Sequence, residues 1–205
     1  MKIIILALFS YLLGSVSFGY IFAKKIKNID IRKVGSGSTG ATNTARILGM
    51  RYAALVFILD VAKGFLAVFL AFCLTSGTPS CTWTMIICAY TVIIGHNWPV
   101  FFSFKGGRGS ATTLGVLFGI VPKAAVIIAI VVLVVIVLTR YVSLASLIGA
   151  VLIPVLILCL SYPPEYLLFG VPFAVLVFWR HIPNIRRLRT GTEPRFGETV
   201  DINDN

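Results

Sequence analysis

The chain has 205 residues, 58% of them hydrophobic and 12% charged. A soluble domain carries roughly 25% charged residues, so a water-soluble globular fold is excluded, and the dominance of apolar side chains excludes disorder as well. The formal net charge is +11, from 18 Lys and Arg against 7 Asp and Glu. In so apolar a chain this excess reads first as membrane topology, because basic residues collect on the cytoplasmic side. It reads second as affinity for anionic head groups or phosphorylated substrates, and nucleic acid is not an expected partner.

A membrane-spanning helix needs about 20 apolar residues. In chain order, residues 3–23, 53–75, 83–104, 124–139, 142–162 and 166–179 are long and apolar enough, and 110–121 is a shorter candidate that is either a crossing or re-entrant. The first segment superficially resembles a signal peptide. Its basic excess follows the apolar run rather than preceding it, which reads as an uncleaved helix with its amino end outside. If 110–121 crosses, fifteen basic residues share one face. They are seven within 24–51, Lys105 and Arg108, Arg140, and five in the C-terminal stretch, while Lys2 and Lys123 lie opposite. The expectation is therefore an all-α, polytopic bundle of seven transmembrane helices, amino terminus outside and carboxyl terminus cytoplasmic. It forms a single domain over 1–196 with a polar tail at 197–205.

Four clusters on the inferred cytoplasmic face carry chemistry. The first reads Gly35-Ser36-Gly37-Ser38-Thr39-Gly40-Ala41-Thr42-Asn43-Thr44-Ala45-Arg46. Its glycines permit positive φ and allow successive N–H groups to face one anion, its hydroxyls add donors, and Arg46 brings a guanidinium fork suited to phosphate. The same stretch matches G-x-G-x-x-G, but an apolar helix rather than a strand precedes it, so a dinucleotide fold is rejected. The second cluster runs from Gly95-His96-Asn97-Trp98-Pro99 to Lys105-Gly106-Gly107-Arg108-Gly109-Ser110, where two cations and a helix amino terminus suit a second phosphate.

The third cluster is Arg140-Tyr141-Val142-Ser143, in which Ser143 is either a helix N-cap or a functional hydroxyl. The fourth, His181 to Glu193, has basics that anionic lipid alone would explain, but His181, Asn184 and Glu193 are not needed for that role. Asp60 and Lys63, one turn apart inside a span, read as a buried structural pair. The four cysteines read as packing residues. Neither histidine has an Asp five residues on, and there is no nucleophile elbow, Walker motif or metal-binding constellation. No metal or cofactor is expected, nor an obligate protein partner.

These stretches together resemble the bacterial acyl-phosphate:glycerol-3-phosphate acyltransferase (PlsY) family over about residues 11–196. The resemblance begins at Leu12-Leu13-Gly14-Ser15 and Phe18-Gly19 and continues through GSGSTGATN (35–43), GHNWPVFFSFKGGRGSAT (95–112), RYVSLAS (140–146) and HIPNIRRLRTGTE (181–193). The family usually has Asn where Ser38 stands and Lys where Arg108 stands; both replacements keep hydrogen-bonding groups. The resemblance implies a seven-helix enzyme of the bacterial cytoplasmic membrane with its site at the cytoplasmic surface. It implies acyl transfer from acyl phosphate to the 1-hydroxyl of sn-glycerol 3-phosphate, giving lysophosphatidate and inorganic phosphate in phospholipid synthesis.

A mixed anhydride has a good leaving group, so such an enzyme needs alignment and oxyanion donors more than a strong nucleophile. On that basis Lys105, Ser143 and His181 are the expected catalytic residues. Ser36, Gly37, Gly40, Thr42, Asn43 and Lys105 are expected around the acyl-phosphate head, with Lys105 and Arg108 neutralising the charge of the departing phosphate. Arg46, Ser143, His181 and Asn184 are expected around glycerol 3-phosphate, and Gly107 and Glu193 complete the expected substrate-binding set. A transporter of a phosphorylated solute is the alternative, and it would require polar residues near mid-membrane in several helices.

Overall fold

The computed structural model describes residues 1–198, and within them all regular structure is helical. Most of the expected polar tail therefore lies outside the described residues. The helices are α1 (Lys2–Ser15), α2 (Phe18–Lys27), α3 (Ala41–Leu48), α4 (Met50–Thr75), α5 (Cys81–Asn97), α6 (Ser110–Ile120), α7 (Pro122–Thr139), α8 (Val142–Cys159), α9 (Leu167–Arg180) and α10 (Ile182–Arg189).

Five segments are long and apolar enough to cross a membrane: Lys2–Lys27, Met50–Thr75, Cys81–Phe102, Pro122–Thr139 and Val142–Cys159. A sixth is obtained if Pro164–Arg180 and Ile182–Arg189, bent by 58°, count as one span. At 1.5 Å per residue, the 11 residues of α6 reach about 16 Å, roughly half the hydrocarbon thickness. Pro154 and Pro172 lie inside α8 and α9 without ending them, as neighbouring helices in a membrane allow.

The first expected span is two helices. Val16 and Ser17 are extended, so the ladder breaks between α1 and α2 with no glycine or proline at the break. Lys63 of α4 compensates: its Nζ donates to Gly14 O at 3.0 Å and Val16 O at 2.8 Å. The same ammonium lies 2.8 Å from Asp60 Oδ1 and 5.6 Å above the Phe18 ring. Asp60 and Lys63 are 2% and 3% exposed. The intramembrane charges are thus a structural pair that seals a helix break. Within the span expected at 83–104 the α-helix ends at Asn97, because Pro99 lacks an N–H, and a short 3-10 turn carries the span to Phe102 before Ser103 and Phe104 turn the chain with φ near +55° and +58°.

The described chain groups into two compact units, Met1–Gly119 and Ile120–Phe196. In the first, α1 and α4 pack on α5. Two reciprocal glycine contacts allow the helices to approach backbone to backbone. Gly14 of α1 lies against Val92 O of α5 while Gly95 of α5 lies against Tyr11 O of α1. Gly64 of α4 meets Thr112 O of α6 while Gly115 of α6 meets Val61 O of α4. Small residues at such crossings are what membrane helices use where apolar burial alone gives no driving force. In the second unit α8 packs against α7 and α9, with Phe169 and Phe173 stacked at 5.5 Å and fully buried.

Candidate active site

In the first unit the glycine-rich loop is organised by Asn43, which is 1% exposed in the first turn of α3. Its Oδ1 accepts from Ser36 N at 3.0 Å. Its Nδ2 donates to Val34 O at 3.0 Å, Ser38 O at 2.9 Å and, sharing a hydrogen, Ile31 O at 3.2 Å. One amide therefore ties together four backbone groups of the loop. Gly35 and Gly37 take φ of +62° and +69°, and a Cβ on Gly35 would strike Asn43 Oδ1. Asn43 is a loop-shaping residue by this geometry, whereas Ser36, Gly37, Gly40 and Thr42 remain partly exposed around it. Arg46 is buried in α3, at 8% exposure.

Composition and spacing did not single out Arg32. Asp30 Oδ1 accepts from Arg32 N at 3.0 Å, and the guanidinium doubles back onto the same carboxylate at 2.8 and 2.7 Å. Its remaining arm donates to Phe102 O at 2.7 Å and its plane lies 4.7 Å from the Tyr20 ring centroid. Arg32 thereby staples the first loop to the second. Hydrogen bonds from Arg32 hold the Asp30 carboxyl below the ordinary carboxylate range, against a smaller opposing effect of burial. The readable signal was Asp two residues before Arg, the pattern of a side-chain-capped turn.

The second loop carries Lys105, exposed, and Arg108, half-buried. The intervening glycines serve a different purpose from those of the first loop. Neither Gly106 nor Gly107 has positive φ. Their backbone lies flush on the last turn of α5: a Cβ on Gly106 would strike His96 O and Pro99, and one on Gly107 would strike the His96 ring. Gly107 N donates to His96 O at 3.1 Å. Gly109, with φ of +84°, then turns the chain into α6.

In the second unit Ser143 lies in the first turn of α8, but the helix begins at Val142 with Tyr141 as its N-cap and no side-chain cap bond. The N-cap reading of Ser143 is therefore not realised. Its hydroxyl is buried, and among the described residues Oγ has no partner of good hydrogen-bond geometry. His181 sits at the bend between α9 and α10, 2% exposed. Its Nδ1 is 2.8 Å from Val177 O, which places a proton on Nδ1 and leaves Nε2 as the acceptor in the neutral ring.

One turn further on, Asn184 Nδ2 donates to Glu193 Oε1 at 2.6 Å, and Arg187 Nε donates to Glu193 Oε2 at 2.7 Å. Burial pushes the Glu193 carboxyl up, but hydrogen bonds from Asn184 and Arg187, helped by the proximity of the Ser143 hydroxyl, outweigh it and hold the group below the ordinary range. Asn184 Oδ1 is buried without a partner among the described residues. Ser143, Asn184 and Glu193 are thus brought together, with Glu193 as the anchor. The chain also returns here: Phe196 N donates to Arg140 O at 2.7 Å and Arg140 Nη2 donates to Phe196 O at 2.9 Å. Buried hydroxyl, amide and imidazole groups of this kind suit an oxyanionic, hydroxylated ligand, and the two glycine loops suit phosphoryl oxygens.

Residues 4–191 match the family described as "Glycerol-3-phosphate acyltransferase". A glycerol-3-phosphate acyltransferase of Halalkalibacterium halodurans is 48% identical over 197 residues, covering 94% of this chain and 95% of that one. The protein of the same name from Aquifex aeolicus is 42% identical over 196 residues, covering 96% and 100%. The crystal structure of PlsY (YgiH), an integral membrane glycerol 3-phosphate acyltransferase, in its glycerol 3-phosphate form superposes with a TM-score of 0.88 at 40% identity, covering 96% of each chain. Its lysophosphatidic acid form gives 0.85. The chain belongs to the glycerol-3-phosphate acyltransferase family and is a membrane protein of that family.

Proposed function

We propose that this protein transfers a fatty acyl group from acyl phosphate to the 1-hydroxyl of sn-glycerol 3-phosphate, releasing 1-acyl-sn-glycerol 3-phosphate and inorganic phosphate. The observation that carries the reading is the loop of residues 35–40. It is fixed from beneath by Asn43 and keeps Ser36, Gly37 and the flanking Thr42 partly exposed. The N–H groups of Ser36, Gly37 and Gly40 are spent within the loop, on Asn43 Oδ1, Val34 O and Ser38 Oγ, so the backbone does not form the anion cradle that the glycines suggested. The hydroxyls of Ser36 and Thr42, held on that frame, are the neutral donors that suit a phosphoryl group already activated. The acyl–phosphate bond is a mixed anhydride, so the protein's task is to align the hydroxyl with the carbonyl carbon and to stabilise the oxyanion.

In this reading the hydroxyls of Ser36 and Thr42 receive the acyl-phosphate head, beside Gly37 and Gly40, on the frame supplied by Asn43. Lys105 and Arg108 neutralise the charge that passes to the leaving phosphate, while Gly107, its N–H given to His96 O, supports them by letting the backbone between them lie close on α5. Arg46, Ser143, His181 and Asn184 hold glycerol 3-phosphate, with Glu193 orienting Asn184. The proton of the attacking hydroxyl goes to the departing phosphate itself, which fits the lack of an evident strong base. No cofactor or metal is required. In this reading residues 1–196 act as a single catalytic domain. The distribution of basic residues supports seven crossings of the bacterial cytoplasmic membrane, α6 included, with the site facing the cytoplasm.

The test is purified protein supplied with palmitoyl phosphate, with and without glycerol 3-phosphate, followed by phosphate release. Release that depends on the acceptor supports the enzyme. Uptake of glycerol 3-phosphate into proteoliposomes without release supports a transporter and overturns the proposal.

A further inference from the structure

The His96 imidazole lies between two features with unrelated sequence origins. On one side its Nδ1 is 3.5 Å from Asp60 Oδ1, the carboxylate that pairs with Lys63 at the α1–α2 break. On the other, its Nε2 edge faces the Cα of Gly107 so closely that no side chain fits there. His96 O also accepts Gly107 N. The ring is 6% exposed and Asp60 2%, so neither group is placed to meet a substrate in solution. A carboxylate beside one imidazole nitrogen fixes the tautomer and the ring plane. Here that plane is the floor on which the segment between Lys105 and Arg108 rests.

We propose that His96 is a positioning residue for the cationic loop, with Asp60 acting through it. The buried pair of α4 thereby fixes where Lys105 and Arg108 stand, as well as sealing the break in the first span. The inference rests on the roles given above to Lys105 and Arg108 at the leaving phosphate. A displacement of about 1 Å at a reacting centre is enough to lower turnover by about a hundredfold, so a floor that holds the loop has a measurable kinetic consequence.

The decisive variants are His96→Asn, Gly107→Ala and their combination. Asparagine keeps an N–H near the Nδ1 position facing Asp60 and withdraws the ring from Gly107. Hydrogen exchange needs no assumption about the acyl donor. In His96→Asn the peptide over residues 103–112 should exchange at least about tenfold faster, while peptides from α1 and α4 stay at wild-type rates. With palmitoyl phosphate and glycerol 3-phosphate, kcat should fall by about 10- to 100-fold and the KM for glycerol 3-phosphate should stay within twofold.

Gly107→Ala should be damaging in the wild-type background, because its methyl meets the ring. It should be neutral or beneficial in His96→Asn, because the ring is gone. A coupling of about tenfold or more between the two substitutions is the signature of direct support. Equal costs of Gly107→Ala in both backgrounds, or unchanged loop exchange in His96→Asn, overturn the proposal. If wild-type protein does not release phosphate, the donor assignment fails by itself, and exchange alone decides whether His96 supports the loop. If His96→Asn does not fold, Gly107→Ala alone still decides, since the proposal requires its loop to exchange faster than wild type.

Discussion

Asn43→Ala separates a loop-shaping role from direct substrate contact. The substitution removes one accepted and three donated hydrogen bonds. Val34 O keeps a bond from Gly37 N and Ile31 O keeps one from Val34 N, and Ser36 and Ser38 are open enough for water to reach them. With a net value of about 0.5–1.5 kcal/mol per bond, and two of the four groups retaining another partner, the loop loses about 2–4 kcal/mol of ordering free energy. At 1.4 kcal/mol per tenfold this corresponds to roughly 30- to 700-fold in the equilibrium between ordered and open loop. Amide exchange over residues 31–43 should accelerate by that factor while α4 and α5 remain protected. The catalytic rate should fall for every acyl chain length. Asn43→Asp should be at least as harmful, because it aims a carboxylate oxygen at the carbonyls that the amide served. Exchange within threefold of wild type in Asn43→Ala, or a rise confined to one substrate's KM, would refute the reasoning.

Other outcomes follow from the same geometry. Lys105→Ala should leave thermal stability unchanged, because the side chain is exposed, and should reduce acceptor-dependent phosphate release by about a hundredfold or more; wild-type turnover would remove Lys105 from the reaction. Lys63→Met strands the Asp60 carboxylate and uncaps Gly14 O and Val16 O, so unfolding in detergent should show a loss of about 3–5 kcal/mol. Asp60→Asn leaves Lys63 its two carbonyls and should cost clearly less, and the reverse order would be wrong for this pair. Glu193 is held below its unfolded pKa, so its contribution is fully present above the ordinary carboxylate range of about 4.3 and is lost as pH falls through the lower folded value. Glu193→Gln should therefore flatten the acid side of the stability profile, with little further loss between pH 5 and pH 3.

The helical class and most of the membrane-crossing segments were legible because long apolar runs admit few other structures. The break at Val16 and Ser17 was not, since its cause lies 47 and more residues away in the Lys63 ammonium rather than in any local breaker. The glycines were legible as special but not in kind. Gly35, Gly37 and Gly109 need positive φ, whereas Gly106 and Gly107 need the absence of a Cβ against α5. Pattern alone does not separate those two demands. Asn43 was visible as a polar residue one turn before Arg46, yet its carbonyl and N–H partners are set by the fold of the loop. Arg32 was missed because a single arginine in a basic segment is indistinguishable from its neighbours until its Phe102 contact is known.

The ammonium at the α1–α2 break also bears on how the protein is made. An aspartate and a lysine near the middle of a helix each oppose entry into the bilayer by about 2.5–3.5 kcal/mol. One turn apart they neutralise each other, but two of the lysine's hydrogens are satisfied by carbonyls at the α1–α2 break. Because residues 14–16 leave the ribosome first, the segment that carries these oxygens has been made before α4 reaches the insertion machinery. Vectorial synthesis thus supplies the acceptor before the donor arrives. A circularly permuted chain that begins at α4 should integrate less efficiently in a translocon assay than the natural order.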